Sequence, residues 1–309
     1  MIVERISREL GLPQDFVLSL ARAATFEYKE YGIPKHSGGF RIIHHPSKRL
    51  KALQRWLLAN VLEQLPVHKA AAAYRKRLSI FDNARSHANS RYLLRVDFTD
   101  FFPSIRRADI AKYIYDRKVL FSDWTAIDVE VVTGLVCRKG VLTIGAPTSP
   151  AVSNVLCYDL DAQLEMRAAK NEITYTRYAD DLFFSTVHKG VLQGFQQEVF
   201  DVVEKLEIPA NLKINVAKTR HSSKRRARRV TGIILGSDGR PHIGRAFKRK
   251  IRSLVHKFDS LDEPTKASLQ GMLAYAGGFD PDFINSLIMK YGLKAIRTAK
   301  GEPAPVGAA

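Results

Sequence analysis

Three acidic residues stand where a chain that folds by burying apolar surface would normally avoid them. Asp97 lies within Leu94-Arg95-Val96-Asp97-Phe98-Thr99-Asp100-Phe101-Phe102, and Asp180-Asp181 fall between Tyr178 and Leu182-Phe183-Phe184. Both stretches read as apolar strands. A carboxylate buried there without a partner is costly, so it finds a cation or takes up a proton. If the two strands lie side by side, three carboxylates converge, and they repel unless a divalent cation joins them. Hard oxygen ligands suit Mg²⁺ or Mn²⁺, with substrate phosphates completing the shell. Two such ions about 3.5–4 Å apart can activate an attacking hydroxyl and stabilise the leaving oxygen in phosphoryl transfer. Taken alone, each feature has a plainer reading: Asp-Asp also suits a solvated turn, and an Asp in a strand is also an edge residue.

The composition supports a polyanion partner. The chain has 309 residues, 45% hydrophobic and 26% charged, which suits one or two soluble globular domains. Its net charge of +18 points to nucleic acid or an anionic membrane face. No apolar run approaches the ~20 residues that span a bilayer, and Met1-Ile2-Val3-Glu4-Arg5 opens no signal-peptide pattern. Cys137 and Cys157 form no Cys-x-x-Cys pair and read as reduced core residues, so a cytoplasmic protein without a zinc site is expected.

Periodicity gives helices, then an α/β centre, then a helical, basic C-terminal part. Residues 1–30, 48–63, 106–120, 123–137 and 190–206 read as helices. So does one long helix opening at the Gly-Pro-Ser cluster of 145–153 and running past Leu164. Phe40–Ile43, Arg91–Phe98, Ile173–Tyr178, Leu182–Thr186 and Arg229–Leu235 read as strands. Helices return from about residue 237, and residues 301–309 are expected to fray.

In this order the motifs resemble the reverse transcriptase family over most of the chain. Asp97–Phe102 resembles its first catalytic motif, and Tyr178-Ala179-Asp180-Asp181 its Tyr-x-Asp-Asp box. Gly145-Ala146-Pro147-Thr148-Ser149-Pro150, followed by Ser153-Asn154, resembles the turn between them. Leu212-Lys213-Ile214-Asn215 with Lys218-Thr219 resembles the later palm motif. Pro34-Lys35-x-Ser37-Gly38-Gly39-x-Arg41, followed by Pro46 and Gln54-Arg55-Trp56, resembles the fingers motif.

The resemblance implies an α+β fold of right-hand polymerase architecture: fingers over 1–90, palm over 91–235 with a helical fingers segment at 106–140, and thumb over 236–309. It makes Asp97, Asp180 and Asp181 the catalytic, metal-binding carboxylates for two Mg²⁺ ions, or Mn²⁺ in their place; Asp97 and Asp180 are the surest. Lys35, Arg41, Phe102, Gly145 and Lys218 become nucleotide contacts. A cationic pair beside a Gly-Gly turn can close on phosphate with charge-assisted hydrogen bonds, although the same residues suit an ordinary hairpin with surface charges. Phe102 would clash with a ribose 2′-hydroxyl and so exclude ribonucleotides, which argues against an RNA-making relative; it also suits a core position. The turn motif usually begins Pro-Gln-Gly, and here Ile144 replaces the glutamine.

Two further boxes resemble the retron branch: Asn83-Ala84-Arg85-Ser86-His87, and Val230-Thr231-Gly232. Their plainer readings are a capped loop and a strand end. The retron resemblance implies DNA synthesis on a cognate structured noncoding RNA, primed from an RNA 2′-hydroxyl, and antiphage defence with a separate effector protein. The other implied partners are dNTPs, an RNA–DNA hybrid and a host RNase H. RNA contacts are expected at Asn83, His87, Arg225, Arg226, Arg228, Arg229, Val230, Thr231, Gly232, Lys248, Arg249 and Arg252, because dense Arg and Lys match a phosphate-tracking surface; such a run is also often a solvated face. The alternatives are a group II intron-like or diversity-generating reverse transcriptase, and a catalytically silent RNA-binding scaffold.

Overall fold

Apolar residues in Tyr92–Thr99 make that segment a central strand. In the computed structural model, which describes residues 1–35 and 38–301, it has neighbours on both edges. Ser37 of the fingers motif and residues 302–309 of the expected tail lie outside the described residues. The strands are β1 (Tyr28–Pro34), β2 (Phe40–Pro46), β3 (Tyr92–Thr99), β4 (Thr174–Tyr178), β5 (Asp181–Thr186), β6 (Lys213–Ile214), β7 (Arg220–Ser223), β8 (Arg228–Val230), β9 (Ile233–Leu235) and β10 (Pro241–His242).

The chain divides into two units. The first comprises Met1–Leu78 and Tyr92–His221, the second Ser79–Arg91 and the chain from Ser222 onward. In the first, β4, β5, β3 and β6 lie in that order, each pair antiparallel. Leu94, Val96 and Phe98 of β3 are buried in one core with Leu182 and Phe184 of β5, Leu160 and Leu164, and the helices Ile2–Leu10, Gln14–Ala23, Lys48–Asn60 and Ala126–Val136. Burial of this apolar surface, at about 25 cal/mol per Å², drives the assembly. Outside that sheet, β1 and β2 form a two-stranded hairpin.

In the second unit the helix Ile80–Ser86 opens with a capping box between Ser79 and Asp82, and β8, β9 and β10 form a small antiparallel sheet. The helices Arg245–His256, Glu263–Phe279, Pro281–Tyr291 and Leu293–Lys300 bury Ile251, Leu269, Leu273, Leu287 and Ile296 together. Among the described residues no helix is long and apolar enough to cross a membrane.

The α+β class expected from the sequence holds, with three local corrections. Residues 1–30 are not one helix: Gly11-Leu12-Pro13 separates two, and Tyr28 already belongs to β1. The helix expected to run on from residue 149 is two, Ser149–Leu156 and Tyr158–Lys170, parted at Cys157. Arg229–Leu235 is not one strand but β8 and β9, folded back on each other at Thr231-Gly232, both with positive φ.

Candidate active site

Antiparallel register brings the carboxylates together. Asp97 of β3 pairs directly with Asp181 of β5, so the two side chains share one face. Asp180 sits in the two-residue tip between β4 and β5, where Ala179 adopts a φ of 56°. The Phe98 amide donates to the Asp180 carbonyl at 3.0 Å, and the Asn215 amide to the Asp97 carbonyl at 2.7 Å. The tip and the later palm motif are thus both fastened to β3 by backbone hydrogen bonds.

The cluster carries its own cations. Arg95 donates from Nε to Asp181 Oδ1 at 2.9 Å and from Nη2 to Oδ2 at 3.1 Å. Lys218 Nζ donates to Asp97 Oδ1 at 2.9 Å. Asp97 is only 3% exposed. Burial pushes the Asp181 carboxyl up to about 6; Arg95 opposes this, and the Asp180 and Asp97 charges add to it. Asp180 is likewise raised, by burial and by Asp97. Among the described residues no three His, Cys, Asp or Glu side chains form a ready-made metal cage. The donor set still fits a divalent ion: oxygen-only ligands, two on one face of adjacent strands, already drawing positive charge.

Behind the tip is a second charge cluster, fully buried. Arg177 donates to Asp161 from Nε and Nη2, both at 2.8 Å, and from Nη1 to the Ala179 carbonyl at 3.3 Å. The Tyr175 hydroxyl completes it, donating to Asp161 Oδ1 at 2.7 Å. The Ala70–Ala73 stretch runs parallel to β4. Its Ala72 amide donates to the Arg177 carbonyl, the Arg177 amide to Ala70, and Asn154 Nδ2 holds the Ala73 carbonyl. The next residue, Tyr74, has a φ of 60° and is 54% exposed, and partial burial and the Asp180 charge push its phenol up.

Lys35 and Arg41 are exposed on the β1–β2 hairpin, and Gly38 and Gly39, with φ of 88° and 74°, close its tip. The hairpin base rests on the Gly-x-Pro turn: the His44 amide donates to the Ile144 carbonyl at 2.8 Å. A Cβ on Gly145 would lie 2.6 Å from the His44 carbonyl oxygen, so only glycine permits this approach. Phe102 is half-buried in the short helix Phe101–Ser104, its ring 5.4 Å from that of Phe101.

The residues expected to touch RNA divide sharply. Arg225, Arg226, Arg229, Arg249 and Arg252 are exposed, with Arg252 over the Phe283 ring. Asn83, His87, Arg228 and Val230 are buried. Arg228 donates to the carbonyls of Ser90 and Gly236. Burial and the Arg228 charge drive the His87 imidazole down to about 3. Lys248 pairs with buried Asp280 at 2.6 Å. Within the second unit the Val230–Gly232 box is tied to the start of the helix that carries Asn83: Thr231 Oγ1 donates to the Ile80 carbonyl at 3.2 Å.

Sequence reasoning missed Arg95, Arg177, Asp161 and Tyr74. The alternation along β3 was a usable signal for Arg95, since residues 95 and 97 must share a face. Nothing local marks Tyr74.

Comparison with known proteins agrees with this geometry. Residues 33–235 match the reverse transcriptase (RNA-dependent DNA polymerase) family, whose chemistry depends on divalent metal. The chain is 36% identical to the retron Ec83 reverse transcriptase of Escherichia coli over 295 residues, which is 93% of this chain and 94% of that one. It is 37% identical to the retron Ec73 reverse transcriptase of Escherichia coli, over 85% of this chain and 86% of that one. Among solved structures, a telomerase from Candida albicans in complex with a fragment of telomeric RNA superposes with a TM-score of 0.50 at 11% identity, covering 89% of this chain and 59% of that one. That likeness concerns the fold alone. With its α+β fold of the right-hand polymerase kind, the chain belongs to the reverse transcriptase family and is an RNA-directed DNA polymerase of the retron type.

Proposed function

We propose that this enzyme copies part of a cognate structured noncoding RNA into short single-stranded DNA, starting from a 2′-hydroxyl of that RNA, within an antiphage defence system. The observation that carries this reading is the similarity to retron reverse transcriptases along nearly the whole of both chains, with the Asp97–Asp181 pair intact.

In this reading the first unit supplies fingers and palm, and most of the second supplies the thumb. Asp97 and Asp180, with Asp181 beside them, hold two Mg²⁺ ions, or Mn²⁺ in their place, which when bound activate the priming hydroxyl and stabilise the leaving pyrophosphate. Lys35 and Arg41 bind the triphosphate of the incoming dNTP. Lys218, released from Asp97, is placed to meet a phosphate oxygen. Gly145 keeps the nucleotide hairpin seated on the palm turn, and Phe102 excludes the ribose 2′-hydroxyl. Arg225, Arg226, Arg229, Arg249 and Arg252 track the RNA or RNA–DNA backbone. Lys248, the buried Asn83, His87, Arg228 and Val230, and the turn residues Thr231 and Gly232 act by shaping that surface. A separate effector protein, a host RNase H and a cytoplasmic setting complete the picture.

The test is to express the chain with its native flanking DNA and examine the nucleic acid that co-purifies, with Asp180→Asn/Asp181→Asn as control. A short DNA whose mobility changes on RNase treatment, absent from the control, is the expected result. RNA without DNA in both samples, while the wild type still extends an annealed primer with dNTPs, would sink the self-primed reading and leave a general reverse transcriptase. RNA alone with no extension in Mg²⁺ or Mn²⁺ would leave only a scaffold.

A further inference from the structure

Arg95 lies two residues before Asp97 on β3 and therefore on the same face. Its guanidinium takes both oxygens of Asp181, at 2.9 and 3.1 Å, while Nη2 stays 3.7 Å from Asp97 Oδ2. This is the two-pronged geometry that matches a carboxylate best. Lys218 by contrast offers Asp97 a single point charge from a side chain that is 60% exposed. Asp180 forms no ion pair of this kind among the described residues. The three carboxylates are thus held unequally: one gripped by two hydrogen bonds, one by one, one by none.

We propose that Arg95 is a positioning residue that withholds Asp181 from the metal, so that the divalent ion is held by Asp97 and Asp180. The proposal rests on the reading of these aspartates as metal carboxylates. Both Asp181 oxygens already accept hydrogen bonds from a group that never loses its charge in a protein. A metal that recruited Asp181 would have to break two charge-assisted hydrogen bonds and set a guanidinium beside itself. The Lys218 contact is the weaker barrier: one hydrogen bond, on a flexible and exposed side chain. Asp181 then serves as the anchor that fixes the Arg95 cation at the edge of the site. Its carboxylate and the guanidinium cancel in charge, which leaves the field at the metal position to Asp97 and Asp180.

The test is Mn²⁺ binding to the full chain without nucleic acid, read from the electron paramagnetic resonance signal of the free ion. Arg95→Gln should tighten Mn²⁺ ~10-fold or more, within the range by which outer-shell partners tune metal affinity. Arg95→Lys, which keeps the charge and loses the fork, should show a smaller gain, and it carries the test should Arg95→Gln fail to fold. In Arg95→Gln/Asp181→Asn the gain should vanish, because it comes through the freed Asp181 oxygens. Unchanged affinity in Arg95→Gln overturns the proposal. So does a gain that persists in the double variant, since that would be the loss of a positive charge alone. Asp97→Asn separates this failure from that of the metal reading: if it binds Mn²⁺ like the wild type, the ion is not at these aspartates and both readings fall.

Discussion

Arg177 and Arg95 each hold an aspartate with two nitrogens, and both aspartates belong to the same unit, yet the two pairs are set in opposite surroundings. The Arg177–Asp161 pair is 0% exposed on both sides, and a tyrosine hydroxyl and a backbone carbonyl take part of its remaining hydrogen-bonding capacity. The Arg95–Asp181 pair is 42% and 17% exposed, and its aspartate adjoins two more carboxylates. In the sealed pair the desolvation cost is offset by two charge-assisted hydrogen bonds and the flanking tyrosine and carbonyl contacts, which hold it in one arrangement. In the open pair charge is left over, and solvent or an incoming phosphate can compete for the cation. The sealed pair positions the tip through Ala179, while the open cluster confronts whatever arrives.

The widest separation between the two is expected from removing carboxylates. Asp97→Asn or Asp180→Asn should cut dNTP incorporation by about 10³-fold or more, equivalent to roughly 4 kcal/mol in the transition state. Asp180→Asn should not lower the thermal midpoint, because it relieves repulsion and breaks no ion pair of the cluster; primer-extension rates and melting curves check both halves. Arg177→Met should do the reverse, destabilising the fold by about 3–5 kcal/mol in urea titration by leaving Asp161 buried and unpaired. Arg177→Met/Asp161→Leu should regain most of that loss, and failure to regain it would mean that the hydrogen bond to Ala179 matters more than the ion pair.

Tyr74 sharpens the comparison, since it projects from backbone that the sealed side fastens toward the open one. Tyr74→Ala is expected to weaken template–primer affinity by about 1–3 kcal/mol, the usual worth of an aromatic stacked on a base, with the melting temperature unchanged. Fluorescence anisotropy on a labelled hybrid reads this directly.

The smallest expected effect is on pH. Asp181 is raised to about 6 in the fold from an ordinary value of 3.8. The folded state therefore binds an extra proton between these values. Its stabilising contribution is present below pH 4 and fades as the pH rises through 6. Urea midpoints of the metal-free chain between pH 4 and 7, compared with those of Asp181→Asn, should show a steeper slope in the wild type, with the raised Asp180 leaving a smaller slope in the variant. In the sealed cluster the Arg177 and Tyr175 shifts both run upward, away from this window.

The open cluster was readable in the sequence, and the sealed one was not. Asp97 and Asp180-Asp181 announced themselves because acid interrupts an apolar strand, and period-two alternation then placed β3 and β5. Arg177 gave no such signal, since its partner Asp161 lies on a helix and only the fold brings them together. β1 was missed because Lys29–Pro34 are exposed on both faces, so no alternation marks them. The buried Arg228 and Asn83 were read as surface residues for a related reason: burial of a polar side chain depends on the carbonyls and packing that the fold places around it. The turn at Thr231-Gly232 was read through as one strand, because three-residue strands are too short to show a period.

The segment Ser79–Arg91 is built into the second unit although it precedes β3 in the chain. A ribosome making this protein therefore releases a strip of the second unit more than a hundred residues before the rest of that unit exists. Until then Phe81 lacks Phe279, on which it stacks at 5.2 Å, and the capped helix Ile80–Ser86 has no sheet to lie against. The chain of the first unit is complete while this strip still waits for its partners, and a fragment cut at residue 221 would keep the strip without the surface that buries it. Separating the two units as independent proteins thus calls for a rearranged chain order, with residues 79–91 joined to the C-terminal part.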